Sequence, residues 1–206
     1  MSTDPFRDDA LLDWQGQGYD ISLERRRLGA VNLSSGQVCA LDPMDALYAD
    51  PIELELEAGA YSVVLLSADL RDERKLAYLI IEISGAEALR WEELEPLDTS
   101  SGLLALMDAD VASLAMDAHN LDEDEFERVL WRECSKNRRQ QKLGWTNIPV
   151  QQLGAPAAAE KNLVAVEVPA GQYQVWAGRD DSAELALLVV DFGVLDILFT
   201  PFGLRY

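Results

Sequence analysis

One short pattern occurs twice in this chain and constrains its fold more than any other feature. Ala58–Gly59–Ala60–Tyr61–Ser62–Val63 and Ala170–Gly171–Gln172–Tyr173–Gln174–Val175 both read Ala-Gly-x-Tyr-x-Val. Each copy continues into a polar turn and then a second apolar run, Leu76 to Ile83 in the first case and Leu185 to Phe192 in the second. Alternation along the second copy places Tyr173 and Val175 on one side of a strand. A supersecondary unit used twice predicts an α+β, β-rich fold. Its sheets are mostly antiparallel and built from two similar strand-turn-strand units, with one long amphipathic helix packed on them. The chain reads as a single domain over 1–206, with an N-terminal half at about 19–118, the helix at 121–143 and a C-terminal β unit at 163–206.

Taken in order, residues 4–14 predict a short helix, because Asp4 can cap it, Pro5 suits its first turn and Phe6, Ala10 and Trp14 recur four apart. Tyr19, Ile21 and Leu23 then alternate as a half-buried strand does. The triple Arg25–Arg26–Arg27 is too short for a nucleic-acid patch in so acidic a chain, and neighbouring carboxylates are expected to neutralise it. Leu28–Leu33 and Gln37–Leu41 around Ser34–Ser35–Gly36 predict a β-hairpin that ends at Asp42–Pro43. Ile52, Leu54 and Leu56 alternate with Glu53, Glu55 and Glu57, which predicts a strand with one wet face. Leu103–Met107 is apolar enough for a buried strand, 97–102 reads as loop, Val111–Ala118 as a short helix, and 144–162 as a connecting loop.

The helix at 121–143 rests on its ends. Asn120 and Glu123 form a capping-box pattern, acidic residues fill the first turn, Arg138, Arg139 and Lys142 fill the last two, and Gly144 follows. Phe126, Val129, Leu130 and Cys134 supply its apolar stripe.

Charge narrows the partner. The formal net charge is −20, and 42–127 alone carries 23 acidic against 4 basic side chains. Such a field repels phosphate backbones, so no nucleic acid is expected. It attracts a basic protein partner and speeds encounter with it; the plainer reading is solubility. No apolar run is long enough to span a membrane and the N-terminus lacks a secretory pattern, so a cytoplasmic protein with no membrane association is expected. Cys39 and Cys134 form no metal-binding spacing and read as free, buried thiols. The apolar C-terminus (Phe199, Phe202, Leu204, Tyr206) is expected to dock in the core or to make a homodimer.

Ser35–Gly36–Gln37–Val38, Asp42–Pro43 and Ala58–Gly59–Ala60–Tyr61–Ser62–Val63 resemble the opening of the bacterial family called domain of unknown function 4241. So do the later runs Ala77–Ile83, Arg90–Trp91–Glu92, Leu103–Asp108, Gly171–Asp180 and Val190–Asp191–Phe192. The resemblance covers roughly 30–195 and implies a β-rich fold without naming a reaction. Where that family tends to carry Asp-Ala-Gly, this chain has Asp98–Thr99–Ser100–Ser101–Gly102. Where the family tends to have Gly-Asp-Gly, this chain has Pro169–Ala170–Gly171.

Catalytic signatures are missing: there is no Gly-x-Ser-x-Gly elbow, phosphate-binding glycine loop or His-Glu-x-x-His, and His119 is the only histidine. The chain therefore leans non-enzymatic, with no cofactor. The most concrete form is an immunity-type protein that neutralises a basic toxin or effector, meeting it through Glu92, Glu93, Glu95, Asp122, Asp124 and Glu127. One alternative is a carboxylate-based hydrolase or metal-dependent enzyme using Asp108, Asp110 and Asp180, since Asp-x-Asp can hold a hard cation. Another is a small-molecule binding module lined by Tyr61, Tyr173, Trp176, Arg179 and Asp180, whose aromatics could equally fill the core.

Overall fold

The computed structural model describes residues 6, 11–14, 19–45, 50–70, 73–111, 128–133, 144–150 and 160–195. Eleven strands appear in it: β1 (Leu11–Trp14), β2 (Tyr19–Leu33), β3 (Val38–Leu41), β4 (Gly59–Leu70), β5 (Glu73–Glu82), β6 (Arg90–Thr99), β7 (Leu103–Asp108), β8 (Trp145–Pro149), β9 (Asn162–Glu167), β10 (Gly171–Arg179) and β11 (Leu185–Asp191). They form a seven-stranded sheet in the order β1-β2-β4-β5-β11-β10-β6 and a four-stranded sheet in the order β3-β7-β9-β8. The chain divides into two compact units, Met1–Arg27 with Val64–Glu93 and Tyr173–Tyr206, and Leu28–Val63 with Leu94–Gln172.

The two copies of the repeat are the strands β4–β5 and β10–β11, and they lie side by side in the larger sheet. The second strands of both copies meet antiparallel, with Leu79 opposite Val190 and Ile81 opposite Leu188. These strands read as unbroken apolar runs because both faces are covered. Residues 77–81 of β5 and 186–191 of β11 are all buried. In the first unit Phe6, Tyr78, Ile80, Trp176, Leu187 and Val189 belong to one apolar cluster. Tyr78 is fully buried, stacks edge-on against Phe6 with ring centroids 5.2 Å apart, and donates its hydroxyl to the Leu195 carbonyl at 2.8 Å. That bond satisfies the one polar atom of the ring, as burial of a tyrosine requires.

The four-stranded sheet has β7 and β9 at its centre. All six residues of β7 are buried. Cys39, Leu103, Ala105, Met107, Leu163 and Ala165 turn to one side of the sheet, where Leu130 and Ile148 join them. Each fully buried Leu, Ile or Val here contributes about 2 kcal/mol by leaving water.

Several expectations are corrected. The long amphipathic helix is not found among the described residues, which are β-rich with two antiparallel sheets and only short helical stretches. Within 121–143 the described helical residues are 128–133, and the rest of that range lies outside the described residues. Capping and dipole matching contribute tenths of a kcal/mol to about one, whereas a helix is stabilised chiefly by packing an apolar face. In 128–133 only Leu130 and Glu133 are buried and Trp131 is 40% exposed, and Ser135–Lys142 has no apolar residue to extend the stripe. Residues 11–14 are strand, not helix, and pair with β2 from Leu11 opposite Ser22 to Trp14 opposite Tyr19. The remainder of the 4–14 expectation, apart from Phe6, and residues 112–118 lie outside the described residues.

The Ser34–Ser35–Gly36 turn exists, but its arms do not form a hairpin. β2 lies between β1 and β4, while β3 pairs with β7, Val38 opposite Asp108. The turn thus passes the chain from one sheet to the other. Residues 52–57 are not a strand of either sheet. They dock beside β3 through two isolated bonds, Ile52 N–H to the Val38 carbonyl (2.9 Å) and Leu56 N–H to the Gly36 carbonyl (3.1 Å). Their predicted alternation is nevertheless real: Ile52, Leu54 and Leu56 are half-buried and Glu53, Glu55 and Glu57 exposed.

Residues 97–99 belong to β6 and 145–149 form β8, where loops were expected. Both strands are sheet edges and both contain a proline, Pro96 and Pro149, tolerated there because an edge can spare a donor. The triple arginine behaves as expected, with Arg25 and Arg27 on Glu82 and Arg26 on Glu24.

Gly36 sits at φ +74°, and a Cβ there would stand 2.4 Å from the Leu56 carbonyl oxygen. Gly36→Ala is expected to cost about 3 kcal/mol through left-handed strain and the clash. Gly85→Ala, at a site with nothing within 4 Å, is expected to be neutral within about 0.5 kcal/mol. Urea unfolding of both variants checks this, and equal losses would contradict the account.

Candidate functional site

The described polar chemistry concentrates at the two ends of the β3–β7 pair. Asp108 closes β7 and has no exposed surface. Its Oδ2 accepts the Ser35 N–H at 2.8 Å and the Ser34 hydroxyl at 3.2 Å. Its Oδ1 accepts the Asp110 N–H at 3.2 Å and faces the Lys161 ammonium at 3.2 Å. Lys161, which immediately precedes β9, also binds the Asp110 carboxylate. Sequence reasoning singled out Asp108 and Asp110 as weak metal ligands. The structure brings them together, but around a lysine.

At the opposite end Asp42, 1% exposed, follows β3 and holds the turn that precedes β7. It accepts the Ser100 N–H (2.8 Å), the Ser101 N–H (2.7 Å), the Ser101 hydroxyl (2.6 Å) and the Met44 N–H (3.0 Å). The arrangement is reciprocal. The carboxylate after one strand receives the amides of the turn before the other.

These environments set the ionisation. Burial alone would raise Asp42, but the hydrogen bonds from Ser101, Met44 and Ser100 outweigh it and hold the carboxyl below its ordinary value. Burial would likewise raise Asp108, and contacts with Asp110, the Ser35 and Asp110 amides and Lys161 drive it well below the carboxylate range. Asp110 moves the other way, raised by burial and by the adjacent Asp108. Of the pair, Asp110 therefore takes a proton first. Cys39 is pushed up to about 11 by burial, then by Asp108 and Asp50, so it is an unreactive core thiol.

Beside this centre lies a pocket of about 470 Å³ lined by Asn32, Ser34, Ala58, Gly59, Ala60, Glu160 and Lys161. An amide cluster braces it. Asn162 donates to the Ala30 carbonyl (2.6 Å) and to Asn147 Oδ1 (2.8 Å), and its own Oδ1 accepts the Asn32 N–H (2.9 Å). Lys161, Asn162 and Asn147 went unnoticed in the sequence. One signal was present: Gly29, an isolated glycine in a strand pattern, marks a close approach, and the Asn147 amide nitrogen lies 2.8 Å from where its Cβ would be.

The other expected site residues have their own local contacts. Tyr61 begins β4 and donates its hydroxyl to the Glu57 carbonyl. Tyr173 packs edge-on against Phe192 at 5.2 Å, and Trp176, three residues further along β10, turns to the opposite face and into the core. Arg179 binds Glu92 at 3.0 Å. Asp180 accepts the Ser182 and Glu184 amides at 2.9 and 3.0 Å, which commits it to its own turn. Glu92, Glu93 and Glu95 are exposed on β6. Asp122, Asp124, Glu127, His119 and Cys134, and the C-terminal residues Phe199, Phe202, Leu204 and Tyr206, lie outside the described residues. Among the described residues no three His, Cys, Asp or Glu side chains are grouped as metal ligands, and no helix is long and apolar enough to cross a membrane. No family model, curated protein or solved structure matches the chain.

Asp108→Ala leaves Lys161 without its buried partner and strands the Ser35 amide, and is expected to cost about 3 kcal/mol. Asp110→Ala, at a side chain 47% exposed, is expected to cost less than about 1 kcal/mol. Denaturant midpoints at neutral pH measure both, and equal losses would contradict the assignment. Because Asp42 and Asp108 are lowered on folding, their stabilisation is complete above about pH 4 and is lost as pH falls through the folded values. Asp42→Asn is accordingly expected to flatten the fall of the urea midpoint below about pH 4; an unchanged slope would contradict it.

Proposed function

We propose that this chain is a non-enzymatic, acidic interaction protein that captures a basic protein, most concretely as an immunity-type protein covering a basic toxin or effector. One observation carries the reading. Glu53, Glu55 and Glu57 stand exposed on a segment whose alternate residues, Ile52, Leu54 and Leu56, are half-buried, and none of the three has a cationic partner among the described residues. The segment bends at Glu53, where the Leu54 N–H returns to the Ile52 carbonyl, and it presents three uncompensated carboxylates close together over 53–57. Elsewhere in the described structure most cations are already paired: Arg25, Arg26, Arg27, Arg74, Lys75, Arg132, Lys161 and Arg179 each meet a carboxylate. Glu93 and Glu95 on β6 add further exposed carboxylates. Complementary potential of this kind raises association rates and selects the sign of the partner.

Two further features agree with this reading. The carboxylates best placed for catalysis, Asp108 and Asp110, are engaged with Lys161. The resemblance to the domain of unknown function 4241 family belongs to the same proposal and adds no reaction to it.

Capture of interacting proteins from the native host is expected to recover a basic protein at low salt and much less of it at high salt. Combining Glu53→Lys, Glu55→Lys and Glu57→Lys is expected to slow association with that protein about tenfold. Recovery of no basic protein at either ionic strength, or an unchanged association rate in the triple variant, would overturn the reading.

A further inference from the structure

The pocket beside Lys161 is chemically one-sided. Ser34 directs its hydroxyl hydrogen to Asp108 Oδ2, so towards the pocket its oxygen is free only to accept. The side-chain nitrogen of Asn32 is engaged by the Glu160 carbonyl and its backbone N–H by Asn162 Oδ1 at 2.9 Å, which leaves Asn32 Oδ1 as an unspent acceptor. Glu160 is exposed and offers a carboxylate. Lys161, the one cation in the wall, is matched by both Asp108 and Asp110, and the exposed Glu160 carboxylate in the same lining adds a further negative charge. An anionic ligand meets net negative charge here, and a ligand made only of acceptors leaves Asn32 Oδ1, Ser34 Oγ and the Glu160 carboxylate without donors.

Another part of the lining, Ala58–Gly59–Ala60, carries no side chain larger than a methyl group and suits the alkyl stem of a long cationic side chain. This stretch directly follows Glu57, the last of the exposed carboxylates, so the segment that would steer a basic protein continues into the pocket lining. We propose that the pocket receives one lysine or arginine side chain of the basic partner, its donors satisfied by Glu160, Asn32 Oδ1 and Ser34 Oγ. The inference rests on the interaction reading above and identifies its anchor: the glutamates steer, and the pocket holds.

The test uses n-butylguanidinium as the probe, titrated into the full-length ¹⁵N-labelled chain. The expected result is saturable shifts at the backbone amides of Gly59, Ala60 and Lys161 and at the Asn32 side-chain amide. Glu160→Lys is expected to weaken this binding at least tenfold, and Glu160→Gln to weaken it less. Glu184→Lys, which reverses an exposed charge just before β11, is expected to leave it unchanged. Shifts that do not saturate, that centre on other residues, or that persist undiminished in Glu160→Lys would overturn the inference. Glu160 is exposed, and retained spectral dispersion verifies that the variants fold. The two proposals fail separately. If the basic protein is captured equally by wild type and Glu160→Lys, the pocket is not its anchor while the acidic-surface reading stands; if no basic protein is captured, that reading falls whatever the probe does.

Discussion

Two buried carboxylates hold the β3–β7 pair, and the described site depends on them. Asp108 and Asp42 stand at opposite ends of the pair, each following one strand and each accepting backbone amides from the turn that precedes the other. A buried charge is tolerable only when hydrogen bonds replace its lost water. Here the replacements are backbone N–H groups that the turns would otherwise leave unsatisfied, so the same bonds pay for both. The apolar centre of β7 and β9 supplies most of the burial, but burial has no direction. The carboxylates supply the register, fixing Val38 opposite Asp108 and Leu41 opposite Ala105.

From that lock the pocket follows. Ser34 and Ser35 are held by Asp108, which positions the turn into β3. Gly36, just beyond, admits the Leu56 carbonyl too closely for any other residue and so brings segment 52–57 alongside. That segment ends in the Ala58–Gly59–Ala60 wall, and Lys161, held by Asp108 and Asp110, lies in the same lining. The cavity combines an apolar stretch, Ala58–Gly59–Ala60, with a cation already neutralised and side-chain oxygens that accept. The exposed glutamates on the anchored segment give that cavity an approach of a single sign.

The strands buried on both faces were legible in the sequence. The runs around Val63–Leu66, Ala77–Ile81, Leu103–Met107 and Leu185–Val190 are too short and too apolar to be anything but central strands, and the repeated Tyr-centred unit correctly pairs two of them with their neighbours. Edge strands β6 and β8 were not legible, because they carry prolines and charges that read as loop, and β1 was read as helix from the four-residue spacing of Phe6, Ala10 and Trp14. The hairpin at 28–41 misled because a turn signal specifies a change of direction, not which strand pairs on the far side. The long helix misled for a related reason: its caps and charges describe how a helix would end, whereas packing decides whether it forms. At the site, Asp108 and Asp110 stood out through their spacing, but their counter-ion lies 51 residues beyond Asp110 and no local pattern announces it. Asp42 was visible as a strand terminator and as one more carboxylate that could join Asp108 and Asp110; that it is buried and accepts four hydrogen bonds from Ser100 and Ser101 depends on serines far along the chain.

The most direct test of this account is a pH titration of the aspartate side-chain carboxyl carbons by NMR, with Asp42 and Asp108 assigned. The account predicts that Asp108 stays ionised well below the ordinary aspartate value near 4 and Asp42 below it, while Asp110 takes up its proton above it. Titration of Asp42 and Asp108 at the ordinary value, together with solvent-like exchange of the Ser35 and Ser101 amides, would contradict the reciprocal lock and the pocket built upon it.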